Sequence, residues 1–319
     1  MWWKLKRVGG SLDTLCMRVC WWSLLFCPRV LLVVGDSWAL KGKVFVSVDM
    51  EGLPHIVLPS QLGPGGSLFN EAREIITRLT RAVAEVLLDH GYRVVVADAH
   101  GEMINIDPLK LPRGVELVRG FPRPLSMLTG AKGAKFAIFL GYHARAGTHS
   151  TLAHTYAGDI TLVTLNGYPA SEYLLNAMLL GEWGIPLAMV AGSAKLGEEV
   201  EKWTPWTTWL PLKQETGYLS ATSPPLEEVE EQLKQATRQA IQKAEKGEIK
   251  PLQPPKPVEL CVQLSNPLYT ELPEQIPGVQ RINDTTICTT AESFEQAYKT
   301  FEAITFLAWA TKQMLKQTK

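Results

Sequence analysis

Asp49, Glu51, His100, His143 and Glu172 are the residues of this 319-residue chain whose types and placement could hold metal ions. Asp49 and Glu51 stand just past the β-branched and aromatic run Val44 to Val48, His100 just past Arg93 to Ala97, and His143 just past Phe136 to Leu140. Glu172 falls on the first turn of a helix that begins near Ser171, a residue suited to cap it. Two imidazoles and three carboxylates are the donor set that a pair of hard-to-borderline divalent ions needs, with one carboxylate bridging. His154 is a candidate proton carrier, because an imidazole with a pKa near neutrality can pass a proton between water and a leaving group; His149 competes for that role. All six histidines lie between His55 and His154, and His55 and His90 read as structural, the latter at a helix end where the dipole favours it.

Taken singly, these residues have a plainer account: Asp49 and Glu51 could cap a turn before Gly52, and His100 could serve a turn of its own. What favours metal is the address they share. The chain alternates strand-like and helix-like stretches. Apolar positions Ile75, Ile76, Leu79, Val83, Val86 and Leu87 give Ser67 to Gly91 a helical period, closed by Gly91. Ile160 to Leu165 and Pro186 to Val190 supply two further strands, with a helix from near Ser171 to Glu182 between them. Strands separated by helices predict right-handed crossovers and an α/β fold, a three-layer αβα arrangement with a mainly parallel sheet, plus a smaller C-terminal α+β lobe. Such sheets carry ligands at the carboxyl ends of their strands, where three strands here end in a metal-capable residue.

Other chemistries fit less well. Gly35-Asp36-Ser37 resembles the nucleophile turn of GDS-type esterases, but no histidine follows His154 to complete it. No G-x-S-x-G elbow, P-loop, H-E-x-x-H helix or C-x-x-C pair is present, and Gly63-Pro64-Gly65-Gly66 does not directly follow a strand as a dinucleotide fingerprint would. The charges sum to 32 − 32 = 0 and never form a basic run, so a nucleic-acid partner is not expected. With 46% hydrophobic and 20% charged residues the composition is that of a globular chain, neither disordered nor polytopic.

The blocks Ser47-Val48-Asp49-Met50-Glu51-Gly52, Asp98-Ala99-His100-Gly101, Gly141-Tyr142-His143-Ala144-Arg145-Ala146-Gly147-Thr148, His154-Thr155 and Asn166-Gly167 with Ser171-Glu172 resemble the ordered signatures of the self-compartmentalising D-aminopeptidase family, binuclear zinc peptidases first known from a dipeptide-transport operon. The resemblance runs from about Lys43 to the C-terminus, where Pro277-Gly278-Val279-Gln280-Arg281 is similar to the family's last segment. It implies two zinc ions per subunit, with Asp49, Glu51, His100, His143 and Glu172 as ligands, Asp49 bridging, and His154 as the active-site histidine. It also implies a ring-stacked homodecamer and hydrolysis of the N-terminal residue from short, D-amino-acid-containing peptides or aminoacyl amides. The alternatives are an amidase acting on a non-peptide amide at the same two metals, and a non-catalytic metal-binding assembly protein. The chain departs from the family pattern at Gly192-Ser193, where Gly-Asp is expected, and at Gln214, where Glu is usual after Lys213.

Residues 1–42 have no counterpart in that pattern. Leu15 to Leu40 is mostly apolar, but Arg18, Arg29 and Asp36 interrupt it before it reaches the roughly 18 to 20 residues of a spanning helix. Lys4, Lys6 and Arg7 precede it as in a signal peptide, but no small-x-small cleavage site follows. The favoured reading is a start codon placed upstream, with the folded chain opening near Gly42, a metal-binding domain at 43–192 and a second lobe at 193–319 that contains a Pro-rich linker at 251–257. Cys16, Cys20 and Cys27 crowd the extension and only Cys261 and Cys288 lie beyond it, which is no disulfide framework and makes a cytoplasmic location the default. Asn283-Asp284-Thr285 is a glycosylation sequon that matters only after export. Leu226 to Lys246 reads as an amphipathic helix with a solvated charged face, Ala291 to Lys316 as a helix burying Phe294, Tyr298, Phe301, Ile304 and Leu307, and Trp203, Trp206 and Trp209 as packing or subunit contacts.

Overall fold

The structure, a computed structural model, describes residues 40–317. The apolar stretch from Leu15 and the three crowded cysteines fall outside the described residues. Twelve strands among those described form two sheets. The first carries β1 (Lys43–Val48), β2 (Arg93–Asp98), β3 (Val115–Val118), β4 (Phe136–Tyr142), β7 (Leu187–Ser193), β8 (Thr208–Gly217) and β9 (Ser220–Thr222), in the order β3-β2-β1-β4-β7-β8-β9. It is parallel from β3 to β8, and β9 closes the edge as an antiparallel hairpin. The second carries β5 (Ile160–Leu165), β6 (Tyr168–Pro169), β10 (Val258–Leu264), β11 (Val279–Arg281) and β12 (Thr286–Ala291), antiparallel throughout, in the order β11-β12-β10-β5-β6. The helices are α1 (Phe69–Asp89), α2 (Glu172–Glu182), α3 (Gly197–Trp203), α4 (Leu226–Glu245), α5 (Leu268–Glu271) and α6 (Phe294–Gln317).

The strands of the first sheet read as continuous apolar runs because both faces are covered. Val44, Val46 and Val48 point to one face and pack with Ile76, Leu79 and Val83 of α1 and Leu233 and Ala240 of α4; Phe45, Ala137 and Phe139 point to the other and pack with Tyr173 and Leu174 of α2. Each fully buried Val, Leu, Ile or Phe contributes about 1.5–3 kcal/mol, so these two layers are the main source of stability. The second core is continuous with the second sheet through Phe294, Tyr298, Phe301 and Ile304 of α6. The expected α/β layering is thus present.

Ile160 to Leu165 is the exception among the expected strands. It leaves the parallel sheet and pairs antiparallel with β10, Val163 opposite Val262. Its burial alternates, unlike β1 or β4, as a strand with one covered face requires. β8 contains Pro211, which masked it in the sequence, and lies beside β7 with its apolar positions shared between the two faces.

Cys261 and Cys288 stand directly opposite each other on β10 and β12 and are joined by a disulfide, so the cysteine count hid one cross-strand bridge. The Pro-rich segment packs against α2: a Cβ on Gly181 would lie 1.7 Å from the Leu252 carbonyl oxygen. Trp203 and Trp209 are half-buried against one core and Trp206 against the other, in keeping with a packing role. Among the described residues no helix is long and apolar enough to cross a membrane.

Candidate metal centre

The carboxyl ends of β1, β2 and β4 lie side by side in register, which brings their exit turns together. The turn after β1 is laced to β4 by Asp49 N–H to Leu140 (2.8 Å) and Gly52 N–H to Gly141 (2.7 Å). Glycine is required on both sides of this seam. A Cβ at Gly52 would sit 1.9 Å from the Tyr142 carbonyl oxygen, and one at Gly141, whose φ is +78°, would sit 2.0 Å from that of Asp49. After β2, Asp98 accepts from Ile106 N–H and from Asn105 Nδ2, and Asn105 also donates to the His100 carbonyl, which fixes the loop that presents His100. Ser171 caps α2, accepting from Leu174 N–H at 3.2 Å, and so starts the helix one residue before Glu172.

These elements converge on one buried cluster. Asp49, Glu51, His100, His143 and Glu172 are all at most 7% exposed. Asp49 offers one oxygen to each of two histidines: Oδ1 is 3.4 Å from His100 Nδ1 and Oδ2 is 3.4 Å from His143 Nε2. Glu51 Oε2 is 2.8 Å from His100 Nδ1, and Glu172 Oε1 is 3.6 Å from His143 Nε2. His154 joins from above, its Nε2 3.7 Å from Glu172 and 3.8 Å from Glu51, its ring stacked on His143 at 4.4 Å. Exposed His149 is not among the residues lining the cavity described below.

Three tests indicate whether divalent ions fit. The first is tautomeric. His100 Nε2 contacts the Leu62 carbonyl (2.7 Å), His143 Nδ1 that of Ala144 (2.9 Å) and His154 Nδ1 that of Leu152 (3.0 Å). A carbonyl only accepts, so each of these nitrogens carries the hydrogen and the other, facing the acids, is the one left to ligate. The second is satisfaction: Asp49 Oδ2, Glu51 Oε2 and His143 Nε2 are buried without a hydrogen-bond donor, because the neutral His100 that gives its hydrogen to Leu62 has a bare Nδ1 facing Glu51 at 2.8 Å. The third is spacing, since two donors each about 2.0–2.1 Å from one tetrahedral zinc ion stand about 3.4 Å apart. Donor atoms of Asp49, Glu51 and His143, and of His143, His154 and Glu172, lie within 4.8 Å of one another. The residues therefore fit two adjacent cations.

Electrostatics agree. Burial, and then Glu51, push the Asp49 carboxyl well above the usual range. Burial opposes ionisation of Glu51 too, but the facing His100, His154 and His143 hold its carboxyl well below that range. Burial also disfavours charge on His100, yet Glu51 and Asp49 outweigh it and raise the imidazole well above its ordinary value; His143 is lowered by burial and by His154. For His154, Glu51 and Glu172 outweigh burial and raise it. A cation competes with these protons for the same lone pairs and relieves the like charges.

Residues that sequence reasoning did not reach complete the surroundings. Lys213 on β8 is buried and donates to the carbonyls of Glu51 and Ile56, tying a fourth strand to the seam. Tyr156, at φ 60°, directs its N–H to Glu172 Oε1 at 2.6 Å. Above the cluster opens a cavity of about 500 Å³, lined by Asp49, Glu51, His100, His154 and Glu172 on its floor and by Glu302, Phe306 and Trp309 of α6 on one wall.

The family model described as D-aminopeptidase, peptidase family M55, matches residues 43–303. The D-aminopeptidase of Bacillus subtilis (strain 168) is 29% identical over 272 residues, covering 84% of this chain and 98% of the relative. A solved structure described as the Zn-dependent D-aminopeptidase DppA from Bacillus subtilis, a self-compartmentalizing protease, superposes with a TM-score of 0.80 at 29% identity, over 84% of this chain and 98% of that one. With the match spanning both sheets and every residue of the buried cluster, the chain belongs to the D-aminopeptidase family.

Proposed function

We propose that the chain removes the N-terminal residue from short peptides or aminoacyl amides, with D-amino acids as the accepted stereochemistry, using two zinc ions per subunit held by Asp49, Glu51, His100, His143 and Glu172. The observation that carries this reading is the Asp49 carboxylate, which turns one oxygen to His100 and the other to His143 at the floor of a peptide-sized cavity. Bound zinc supplies Lewis acidity, which acidifies a water and polarises the scissile carbonyl.

The side chains do the rest. Asp49, Glu51, His100, His143 and Glu172 would hold the two ions, with Asp49 facing both histidines. His154 is the proton carrier: with Nδ1–H held by Leu152, its Nε2 takes the proton that the attacking water loses. As the carbonyl carbon gains the hydroxyl oxygen and the C–N bond breaks, that proton passes to the departing amine. Its side chain is 25% exposed against 8% or less for the five ligands, so it alone of the set reaches freely into the cavity.

The family match opens at residue 43, which supports treating residues 1–42 as an extension outside the catalytic fold. The solved relative is a self-compartmentalizing protease, which supports self-assembly of this chain, as the homodecamer that the resemblance implies; light scattering checks it. The test of the activity is elemental analysis of the purified chain beside a panel of D- and L-aminoacyl amides and dipeptides. About two zinc equivalents with D-selective release of the N-terminal residue is the expected result; two equivalents without turnover on any substrate would overturn it.

A further inference from the structure

α6 presents two faces of different character. Phe294, Tyr298, Phe301 and Ile304 are fully buried in the core. Glu302, Thr305, Phe306 and Trp309 follow the spacing of one helical stripe and line the cavity instead. Phe306 and Trp309 are 43% and 48% exposed there, their rings 5.6 Å apart, and Phe121 continues the row at 6.4 Å from Phe306. Three half-exposed aromatic rings around an opening whose floor is acidic give it an apolar wall and a charged base, the usual division between holding a ligand and orienting it.

Glu302 lies in the same stripe, one turn before Phe306. Burial pushes its carboxyl up to about 7. The neighbouring ammonium of Lys299 is bonded to Glu295 at 2.8 Å, and among the described residues Glu302 forms no ion pair. Of the cavity's carboxylates, three face the metal-ligating histidines and Glu102 is exposed to water, where ion pairs contribute little. Glu302 is the one sheltered enough to reward an organic cation. The family match ends at residue 303, between Glu302 and the two rings.

We propose that the α6 wall is the pocket for the substrate's N-terminal residue: Glu302 receives the α-ammonium, and Phe306 and Trp309 with Phe121 receive a bulky apolar side chain, so that peptides beginning with such a residue are the preferred substrates. This rests on the peptidase reading above. It assigns Glu302 as a substrate-binding residue and the three rings as the determinants of specificity.

The experiment compares D-alanyl, D-leucyl and D-phenylalanyl p-nitroanilides on the zinc-loaded full chain and on Trp309→Ala, Phe306→Ala, Glu302→Gln and Glu302→Asp, each checked for its Tm and metal content. In the two ring variants the D-phenylalanyl over D-alanyl ratio of kcat/KM falls about tenfold or more. In Glu302→Gln the KM rises for all three substrates, and the inhibition constant of D-phenylalaninol, which has no amide to cleave, weakens towards that of 3-phenylpropanol, which lacks the amine; Glu302→Asp recovers part of the difference. If the wild-type chain turns over the panel but the ratio and the amine preference survive these changes, the pocket assignment is wrong and the peptidase reading stands. If the wild-type chain turns over none of the panel, the peptidase reading itself falls and the pocket with it.

Discussion

The two walls of the cavity are built on opposite rules. On the metal side Asp49, His143, Glu51 and Glu172 are 2–5% exposed, each approached by a second polar group, and three imidazoles are fixed by main-chain carbonyls. On the α6 side Phe306 and Trp309 are 43% and 48% exposed, and Phe306 lies against Trp309 and Phe121. A buried cluster of three acids is costly unless cations compensate it, so its geometry is over-determined. Half-exposed rings carry no such penalty and are free to differ in size. Chemistry is thereby separated from selectivity within a single cavity.

The largest break in this contrast should come from the metal side. His143→Ala removes a donor from both overlapping sets, and kcat/KM should drop by about 100-fold or more with metal content falling below two equivalents, measured by elemental analysis beside turnover. Full turnover with two equivalents retained would show that the cluster is not the catalytic centre. Next in size is stripping the cations with a chelator, which leaves the acids uncompensated. A ligand that binds only the folded state at 100 times its dissociation constant contributes about 2.7 kcal/mol, so the apoprotein should melt several degrees lower in calorimetry and recover on adding zinc.

Smaller effects should come from the α6 side. A carboxyl held near 7 in the folded chain favours the protonated form, so the stability it contributes is complete below about pH 4.5 and is lost as pH rises through 7. Glu302→Gln cannot ionise. Its melting temperature relative to wild type should therefore be higher at pH 8 than at pH 5, by about 2–4 °C, and an equal difference at both pH values would contradict the assignment. The smallest change is expected away from both walls. Arg78 pairs with Glu227 and Glu230 between α1 and α4 on an exposed face, and Arg78→Ala should cost about 1 kcal/mol or less in urea unfolding with no loss of turnover.

The metal side was legible in the sequence because its residues follow strands whose apolar runs are unmistakable, and parallel strands put their carboxyl ends at one edge. Ser171 as cap placed Glu172 for the same reason: local chemistry starts the helix. What stayed hidden came from distance along the chain. Lys213 reaches Glu51 from 162 positions away, on a strand disguised by Pro211. The helix from Phe294 was readable on its buried stripe, whereas Glu302, Phe306 and Trp309 acquire meaning only when α6 is laid beside the loop carrying Phe121. The strand character of Ile160 to Leu165 was clear, but its partner was not, since its antiparallel pairing with Val258–Leu264 depends on a return of the chain nearly a hundred residues later.

The glycine seam between the ends of β1 and β4 has a consequence for which ions the centre accepts. Because peptide units at Gly52 and Gly141 touch with no room for a methyl group, the main chains that carry Asp49 and His143 are held at a fixed separation. A carboxylate oxygen held 3.4 Å from an imidazole nitrogen is a mixed pair that suits zinc, with bonds of about 2.0–2.1 Å to both donor types, whereas calcium takes six to eight oxygens. The junction of two strands thus fixes the mixed nitrogen and oxygen donors that sort cations by their chemistry before any substrate arrives.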